Sequence, residues 1–374
     1  MQANETKKQG YFNKDEKHFY LALSAVTLLM TAAYFLGMPS YYLGWAAFTL
    51  AALSVAGNDA IQTVGTFIES KKQVHWLPKM AMLGLTLIAV FVYGWYIDDR
   101  QIHFERLKKF DEVTEFNLIQ LLAPVVLLVI TRLKAPVSTT FLILGVFGGG
   151  QNIQKMLTKS FVGYGVAFLA AIAVWAVLGY FDKKEYEEEH EDSEKVWSGL
   201  QWISTLFLWG AWLFQDSANI AVYLPRRLNV FELCGATGII VLALTYIIMN
   251  GGGKIQEVVS EKSDIKSAKA GTIVDIVYAL ILIIFQKWSN LPMSTTWVFL
   301  GLLAGRESIL HIITSRDSYI DTFKKVGKDV ALASLGIAVS ISIFFLSQLV
   351  YPKPGQNFQI LNEQKTDSGA FLKK

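Results

Sequence analysis

Apolar residues run along this chain in long blocks, not in alternation or in narrow stripes. His18 to Gly37, Tyr41 to Gly57, Pro78 to Ile97, Phe161 to Phe181, Val196 to Phe214, Val230 to Met249 and Val326 to Val350 each hold 17 to 25 residues. A helix of about 20 apolar residues covers the roughly 30 Å of a bilayer's hydrocarbon core. The pattern therefore predicts helices that cross a membrane, and a multi-pass protein. The first block follows a polar, lysine-bearing tail and is not trailed by a small-residue cleavage signature, so it reads as a retained helix and not a cleaved signal peptide.

Composition sharpens this picture. Of 374 residues, 53% are hydrophobic and 13% aromatic, well above the balance of a soluble domain. The net charge is only +3, with Lys and Arg in the loops between apolar blocks, so no basic face points to nucleic acid. Cys234 stands alone, which excludes an internal disulfide framework and a thiolate metal cluster. The five histidines are scattered, and no two have zinc-ligand spacing. With no nucleophile and base pair and no glycine-rich phosphate cradle, an enzyme is not expected.

The most acidic stretch, "DKKEYEEEHEDSEK" (Asp182 to Lys195), divides the chain almost in half and reads as a solvated linker. Each half carries the same two polar motifs. "SVAGNDAIQTVGTF" (Ser54 to Phe67) aligns with "WLFQDSANIAVYL" (Trp212 to Leu224) at an offset of 157, pairing Asp59 with Asp216, Asn58 with Gln215 and Gln62 with Asn219. "APVSTTFLILGVFGG" (Ala135 to Gly149) aligns with "LPMSTTWVFLGLLAG" (Leu291 to Gly305) at 156, pairing Pro136 with Pro292 and Gly145 with Gly301. Gly94 and Gly251, read as ending the helix after each Asp motif, are again 157 apart. Agreement of three features in one register predicts a duplication.

The arms around Pro136 and Pro292 read as short, interrupted hairpins that return to the side they entered from. Each copy then makes three crossings, and an odd number inverts the second copy relative to the first. The expected fold is an all-α polytopic membrane protein of two inverted repeats, with broken helices and re-entrant helical hairpins. The expected division is 1–40 as a tail and an extra helix, 41–181 and 196–350 as the repeats, 182–195 as the linker and 351–374 as a polar tail. Inverted repeats with Gly- or Pro-interrupted segments at matching positions are the sequence mark of a secondary transporter's binding site.

Chemistry follows from the polar motifs. An ionised Asp at the bilayer centre costs about 2.5 to 3.5 kcal/mol on the insertion scale, so Asp59 and Asp216 require partners. Asn58, Gln62, Gln215 and Asn219 offer carbonyl oxygens for a hard cation and N–H donors for an oxyanion. Ser138, Thr139, Thr140, Ser294, Thr295 and Thr296 add hydroxyls at two helix starts, where free backbone N–H groups favour an anion. Two carboxylates beside an anion are tolerable only with cations or protons bound, which points to coupled symport.

Blander readings compete. Ser and Thr in membrane helices bond their own backbone or a neighbouring helix. Gly57, Gly65, Gly145 and Gly301 serve either close packing or helix unwinding. Asp275 is open between capping, helix contact and a site role. Arg306 reads as a loop charge, and Trp297 and Phe141 as core or lipid packing.

These motifs resemble the inorganic phosphate transporter (PiT) family, which carries a Gly-Ala-Asn-Asp-Val-Ala-Asn-Ala type sequence and a Pro-Val-Ser-Thr-Thr-His type sequence once in each inverted half. Here the first reads "AGNDAIQT" and "LFQDSANI" and the second "PVSTTF" and "PMSTTW". The segment Gly251 to Ala279 is similar to that family's glycine-lysine loop. The resemblance implies uptake of phosphate with sodium or protons, by a multi-pass protein of the cell membrane. Asp59 and Asp216 would ligate the cation with Gln62 and Gln215, and Asn58, Asn219 and the two Ser-Thr-Thr triplets would hold the anion. No cofactor is implied beyond the coupling Na+ or H+. The expected partners are inorganic phosphate, with sulfate as the alternative anion, the lipid bilayer and a second copy in an optional homodimer; nucleic acid is not among them.

Gln62 and Gln215 replace family asparagines, and Phe141 and Trp297 replace the histidine after each triplet. A sulfate permease, an oxyanion channel and a non-transporting sensor are the alternative functions.

Overall fold

A computed structural model describes residues 14–135, 137–148, 150–181, 191–263, 267–314 and 319–351. Among them there are helices and no strands. In chain order they are α1 (Lys14–Phe35), α2 (Ser40–Gly57), α3 (Asp59–Ser70), α4 (Trp76–Ile97), α5 (Leu118–Arg132), a π-helical turn (Thr140–Leu144), α6 (Gly145–Phe147), α7 (Gly150–Phe181), α8 (Glu191–Asp216), α9 (Ala218–Ala221), α10 (Val230–Met249), α11 (Gly253–Ser263), α12 (Ala268–Trp288), α13 (Thr295–Thr314) and α14 (Tyr319–Val350). Seven are long and apolar enough to cross a membrane. The chain is an all-helical polytopic membrane protein.

Large apolar side chains lie exposed along the helices, while the interior, packed mostly with apolar residues, also buries a set of polar and charged side chains. Leu21, Leu28 and Leu29 on α1, Leu85 on α4 and Phe231 on α10 lie exposed, while Asn58, Asp59, Gln215, Asp216 and Asp275 are buried. Hydrocarbon solvates the leucines at no cost, whereas a polar group must find partners inside the protein. Cys234 faces outward on α10.

The two halves interleave. α10 packs on α2 and α4 packs on α8; α13 lies along α7, and α14 lies against the π turn and α6. Local signals set the helix ends. Asn117 with Gln120 and Asn229 with Glu232 form reciprocal capping boxes that start α5 and α10. Inside α5, Pro124 has no N–H to give the carbonyl of Gln120. The Tyr223 hydroxyl donates to that carbonyl instead, at 2.8 Å, tying the loop after α9 to α5.

Several expectations change. The first hairpin has the short arms read from the sequence, 15 residues in α5 and then the π turn with α6. The second has arms of 21 and 20 residues, long enough to span, because α13 continues through Gly305 to Thr314. Pro292 lies outside α13, three residues before its first residue, and Pro136 falls outside the described residues. Gly94 does not end a helix: it sits inside α4, where a Cβ would lie 2.4 Å from the Phe104 ring. Gly251, at φ +70, does follow the end of α10. Asp182 to His190 of the acidic stretch lies outside the described residues, and Glu191 to Lys195 opens α8. Arg306 is not a loop charge. It is buried on α13, its guanidinium 5.8 Å from the Trp175 ring centroid, a cation-π contact.

Candidate functional site

The α2–α3 helix breaks at Asn58, whose backbone sits at φ −117, ψ −82. The side-chain amide of Asn58 donates to the Val137 carbonyl at 2.5 Å, so the break is held open by the residue just before the first triplet. Asp59 opens α3, and α8 closes on Asp216. The two Asp motifs therefore present a helix start and a helix end.

Each triplet begins a helical segment. The Ser138 oxygen accepts from the Phe141 N–H at 3.3 Å and the Ser294 oxygen from the Trp297 N–H at 3.4 Å. Both serines act as N-caps. Phe141 and Trp297 are buried; Trp297 packs edge-on to Phe161 and Tyr164, which makes them wall residues of the packed core.

All twelve site residues expected from the sequence are buried, none more than 5% exposed. Thr296 donates to Asp59 Oδ1 at 3.0 Å and Thr295 to Asp216 Oδ2 at 2.5 Å. Asn219 donates to Thr140 Oγ1 at 3.2 Å, and Gln62 to Asn58 Oδ1 at 2.9 Å. Two bonds mirror each other across the repeat: Thr140 reaches the Met293 carbonyl at 3.3 Å and Thr296 the Val137 carbonyl at 3.4 Å. Each triplet is thus held by the backbone that leads into the other. Gln215 stands apart, with no hydrogen bond to either end of its amide.

What is left unsatisfied shows the chemistry the cluster can do. Asp59 Oδ2, Asp216 Oδ1, Gln62 Oε1, Gln215 Oε1, Asn219 Oδ1, Thr139 Oγ1 and Ser217 Oγ are buried oxygens without a hydrogen-bond partner. Buried polar atoms are almost always paired, and an oxygen-rich set of carboxylate, amide and hydroxyl is the donor class of hard cations. Asp59 and Asp216 are bonded to the adjacent residues Thr296 and Thr295, so two ionised carboxylates there would repel one another, which a cation or proton would relieve. A small void of about 10 Å³, room for about one water, lies beside Asp216 and Ser217, walled by Trp209, Trp212 and Phe91.

Two cations escaped the sequence reading. Arg106, 1% exposed, donates Nη1 to the Ser289 carbonyl at 2.7 Å and acts electrostatically on Asp216. Lys159 of α7 donates to the carbonyls of Ser289 and Leu291 at 3.0 and 2.7 Å. Both brace the approach to the second triplet. The signal for Arg106 was "HFERLKKF", in which apolar residues interleave with charges as they do not in a fully solvated loop.

Asp275 lies within α12, whose cap is Ser267, so it does not cap a helix. It accepts from Thr66 of α3 at 3.1 Å and from Ser204 and Thr205 of α8 at 3.1 and 2.5 Å, a contact that locks three helices together. The glycines divide by neighbourhood. A Cβ on Gly65 would meet Val259 and Gln256 of α11, and one on Gly301 the Tyr164 carbonyl; one on Gly57 would make ordinary contact with Ile247, and one on Gly145 would meet nothing within 4 Å.

No protein-family model matches the chain, and no curated protein matches it in sequence. Among solved structures it is similar to one described as "The sodium-dependent phosphate transporter", at 16% sequence identity and a TM-score of 0.58, over 83% of this chain and 99% of that one. The fold described above is therefore of the same kind as that phosphate transporter's fold.

Proposed function

We propose that this chain is a cation-coupled symporter of inorganic phosphate, working by alternating access between two inverted halves. The observation that carries the reading is the convergence of both Asp motifs and both Ser-Thr-Thr triplets, spread over 239 residues from Asn58 to Thr296 counted inclusively, into one buried cluster with unpaired cation-type oxygens. The mirrored Thr140 and Thr296 bonds support the duplication, and the likeness of fold to a solved phosphate transporter supports the substrate. In this reading Asp59 and Asp216, with Gln62, Gln215 and Asn219 oxygens, carry Na+ or H+. Phosphate sits between the triplets, on their hydroxyls and helix-start N–H groups. The cation neutralises the carboxylates that would otherwise repel the anion.

The test is uptake of labelled phosphate and of labelled sulfate into proteoliposomes, with and without sodium or proton gradients. The expected result is gradient-driven phosphate uptake that falls at least tenfold in Asp59→Asn and in Asp216→Asn. Flux independent of any gradient would make the protein a channel, preference for sulfate would reassign the anion, and absence of flux would leave a sensor.

A further inference from the structure

The segment between α12 and α13 (residues 289–294) carries no helix and runs from the surface to the buried cluster. Asn290 near its start is exposed, Leu291 is 3% exposed, and Thr295, the residue after it, donates to Asp216 inside the cluster. Six residues reach at most about 20 Å, so on the face where α12 ends this segment is a short lead into the site.

The first half of the chain holds it in place. Arg106 Nη1 and Lys159 Nζ both donate to the Ser289 carbonyl, at 2.7 and 3.0 Å, Lys159 also to that of Leu291 at 2.7 Å, and Thr140 to that of Met293 at 3.3 Å. The Ser294 N–H donates to Ser160 Oγ at 2.8 Å, and Asn290 Nδ2 to Glu105 at 3.3 Å. Arg106 and Glu105 belong to the loop after α4 (residues 98–117), which is itself packed down: Phe104 meets Phe214 of α8 with ring centroids 4.3 Å apart, and Ile102, His103 and Leu107 are buried. Two bonds to one oxygen keep the guanidinium and ammonium nitrogens within about 6 Å of each other. Both cations are buried, and both give these bonds to neutral carbonyls. Bonds from an ionised donor are strong. A segment that lifts away passes its carbonyls to water and leaves no buried carboxylate behind, as release of a buried ion pair would.

The opposite face is closed by other means. α12 is long enough to cross the membrane and separates this segment from α11. α11 follows three glycines at φ +70, +88 and +68, and packs on α3, where Gln256 Nε2 donates to the Gly65 carbonyl at 3.0 Å. Lys134, in a left-handed turn that glycine more often takes, pairs with Glu257 of α11 at 2.5 Å, both side chains well exposed.

We propose that residues 289–294 are the gate between the cluster and the membrane face they border, and that Lys159 and Arg106 are its latch. Both are positioning residues: they touch the gate and not the cargo. The part the gate plays in transport rests on the alternating-access reading; the latch itself does not.

The experiment is thiol labelling of the full chain in nanodiscs with a membrane-impermeant maleimide, the lone cysteine having been removed as Cys234→Ala. Leu291→Cys reports on the gate, and Val259→Cys, buried on α11, reports on the opposite face. Lys159→Met and Arg106→Gln should each speed labelling of Leu291→Cys at least tenfold and leave that of Val259→Cys unchanged. Lys159→Arg, which keeps a charged donor, should hold labelling slow, and Glu257→Gln should speed Val259→Cys alone. Unchanged labelling of Leu291→Cys in both latch variants overturns the proposal, and so does equal acceleration at the two reporters, which marks general loosening of the fold. In proteoliposomes, joining Glu105→Cys to Asn290→Cys with a short bis-methanethiosulfonate should stop phosphate uptake until a reducing agent is added, and uptake undiminished by the bridge also overturns the gate. Absence of uptake before bridging removes the transport reading, and labelling then decides the latch by itself.

Discussion

Gly145 and Gly301 occupy the same position after the two Ser-Thr-Thr triplets, so a matched pair of alanine substitutions isolates what packing does there. At Gly301 an added Cβ would lie 2.4 Å from the Tyr164 carbonyl oxygen and 3.1 Å from that residue's Cα and carbonyl carbon. Ordinary contact begins near 3.4 Å, so α13 and α7 must separate by about 1 Å along their common face. The obstacle is backbone and cannot rotate away. Gly305, one turn on, meets the Phe168 carbonyl at 2.2 Å and closes the other escape. Overpacking of this kind costs about 1 to 3 kcal/mol. At Gly145 nothing lies within 4 Å, and Gly→Ala in a helical segment is worth up to about 1 kcal/mol in the stabilising direction. Thermal melting of the purified protein in detergent checks the pair: Gly301→Ala should melt lower than the parent and Gly145→Ala at or above it. Equal shifts, or the reverse order, would refute the close approach of α13 to α7.

Thr296→Val removes a hydroxyl that donates to Asp59 and the Val137 carbonyl, and Thr140→Val one that donates to the Met293 carbonyl and accepts from Asn219. Each should lower the melting temperature, at about 0.5 to 1.5 kcal/mol per bond lost, and an unchanged melting temperature in either would refute its bonds. Asp275→Ala strands the hydroxyls of Thr66 and Thr205 and leaves that of Ser204 with the Gln201 carbonyl alone, at about 1 kcal/mol for each bond lost, and detergent melting should show a drop that Asp275→Asn partly recovers. His103 gives a pH signature. Its pKa falls from 6.5 unfolded to about 4 folded, so its full contribution is present above about pH 6.5. As pH falls toward 4 the unfolded chain takes up a proton that the folded chain refuses, costing about 3 kcal/mol by linkage. Melting curves between pH 7 and 4 should slope less in His103→Phe, and an unchanged slope would show the ring to be solvated. Lys159→Met takes the ammonium donor from the Leu291 carbonyl and leaves Arg106 alone on that of Ser289, and should slow phosphate uptake severalfold in proteoliposomes without preventing membrane insertion.

The parts of the site legible in the sequence were those that broke an apolar run. Asp59 and Asp216 stood out because hydrocarbon does not tolerate a carboxylate, and the offset of 157 then tied them together. Arg106, Lys159 and His103 were invisible for the opposite reason: charge in a loop or at a helix end needs no explanation until the fold buries it. The glycines show the same limit. Gly145 and Gly301 are alike in sequence, and only the neighbouring helix decides that one of them fills a contact and the other does not. The length of α13 was misread because Gly301 and Gly305 suggest interruption, whereas in the structure they let a continuous helix lie flush on α7.

The bond from Thr296 to Asp59 spans 237 residues of chain, and that separation has a consequence in time. At roughly 5 to 20 residues per second of synthesis, Asp59 emerges some 10 to 50 s before the hydroxyl that will receive it. Asp216 waits for Thr295 across only 79 residues. During that interval the first half has a carboxylate and no completed partner set, so its broken helix must sit shallow in the bilayer, beside water, or be sheltered by the insertion machinery. Final burial of Asp59 is then a late step of biogenesis, triggered when the last hairpin arrives.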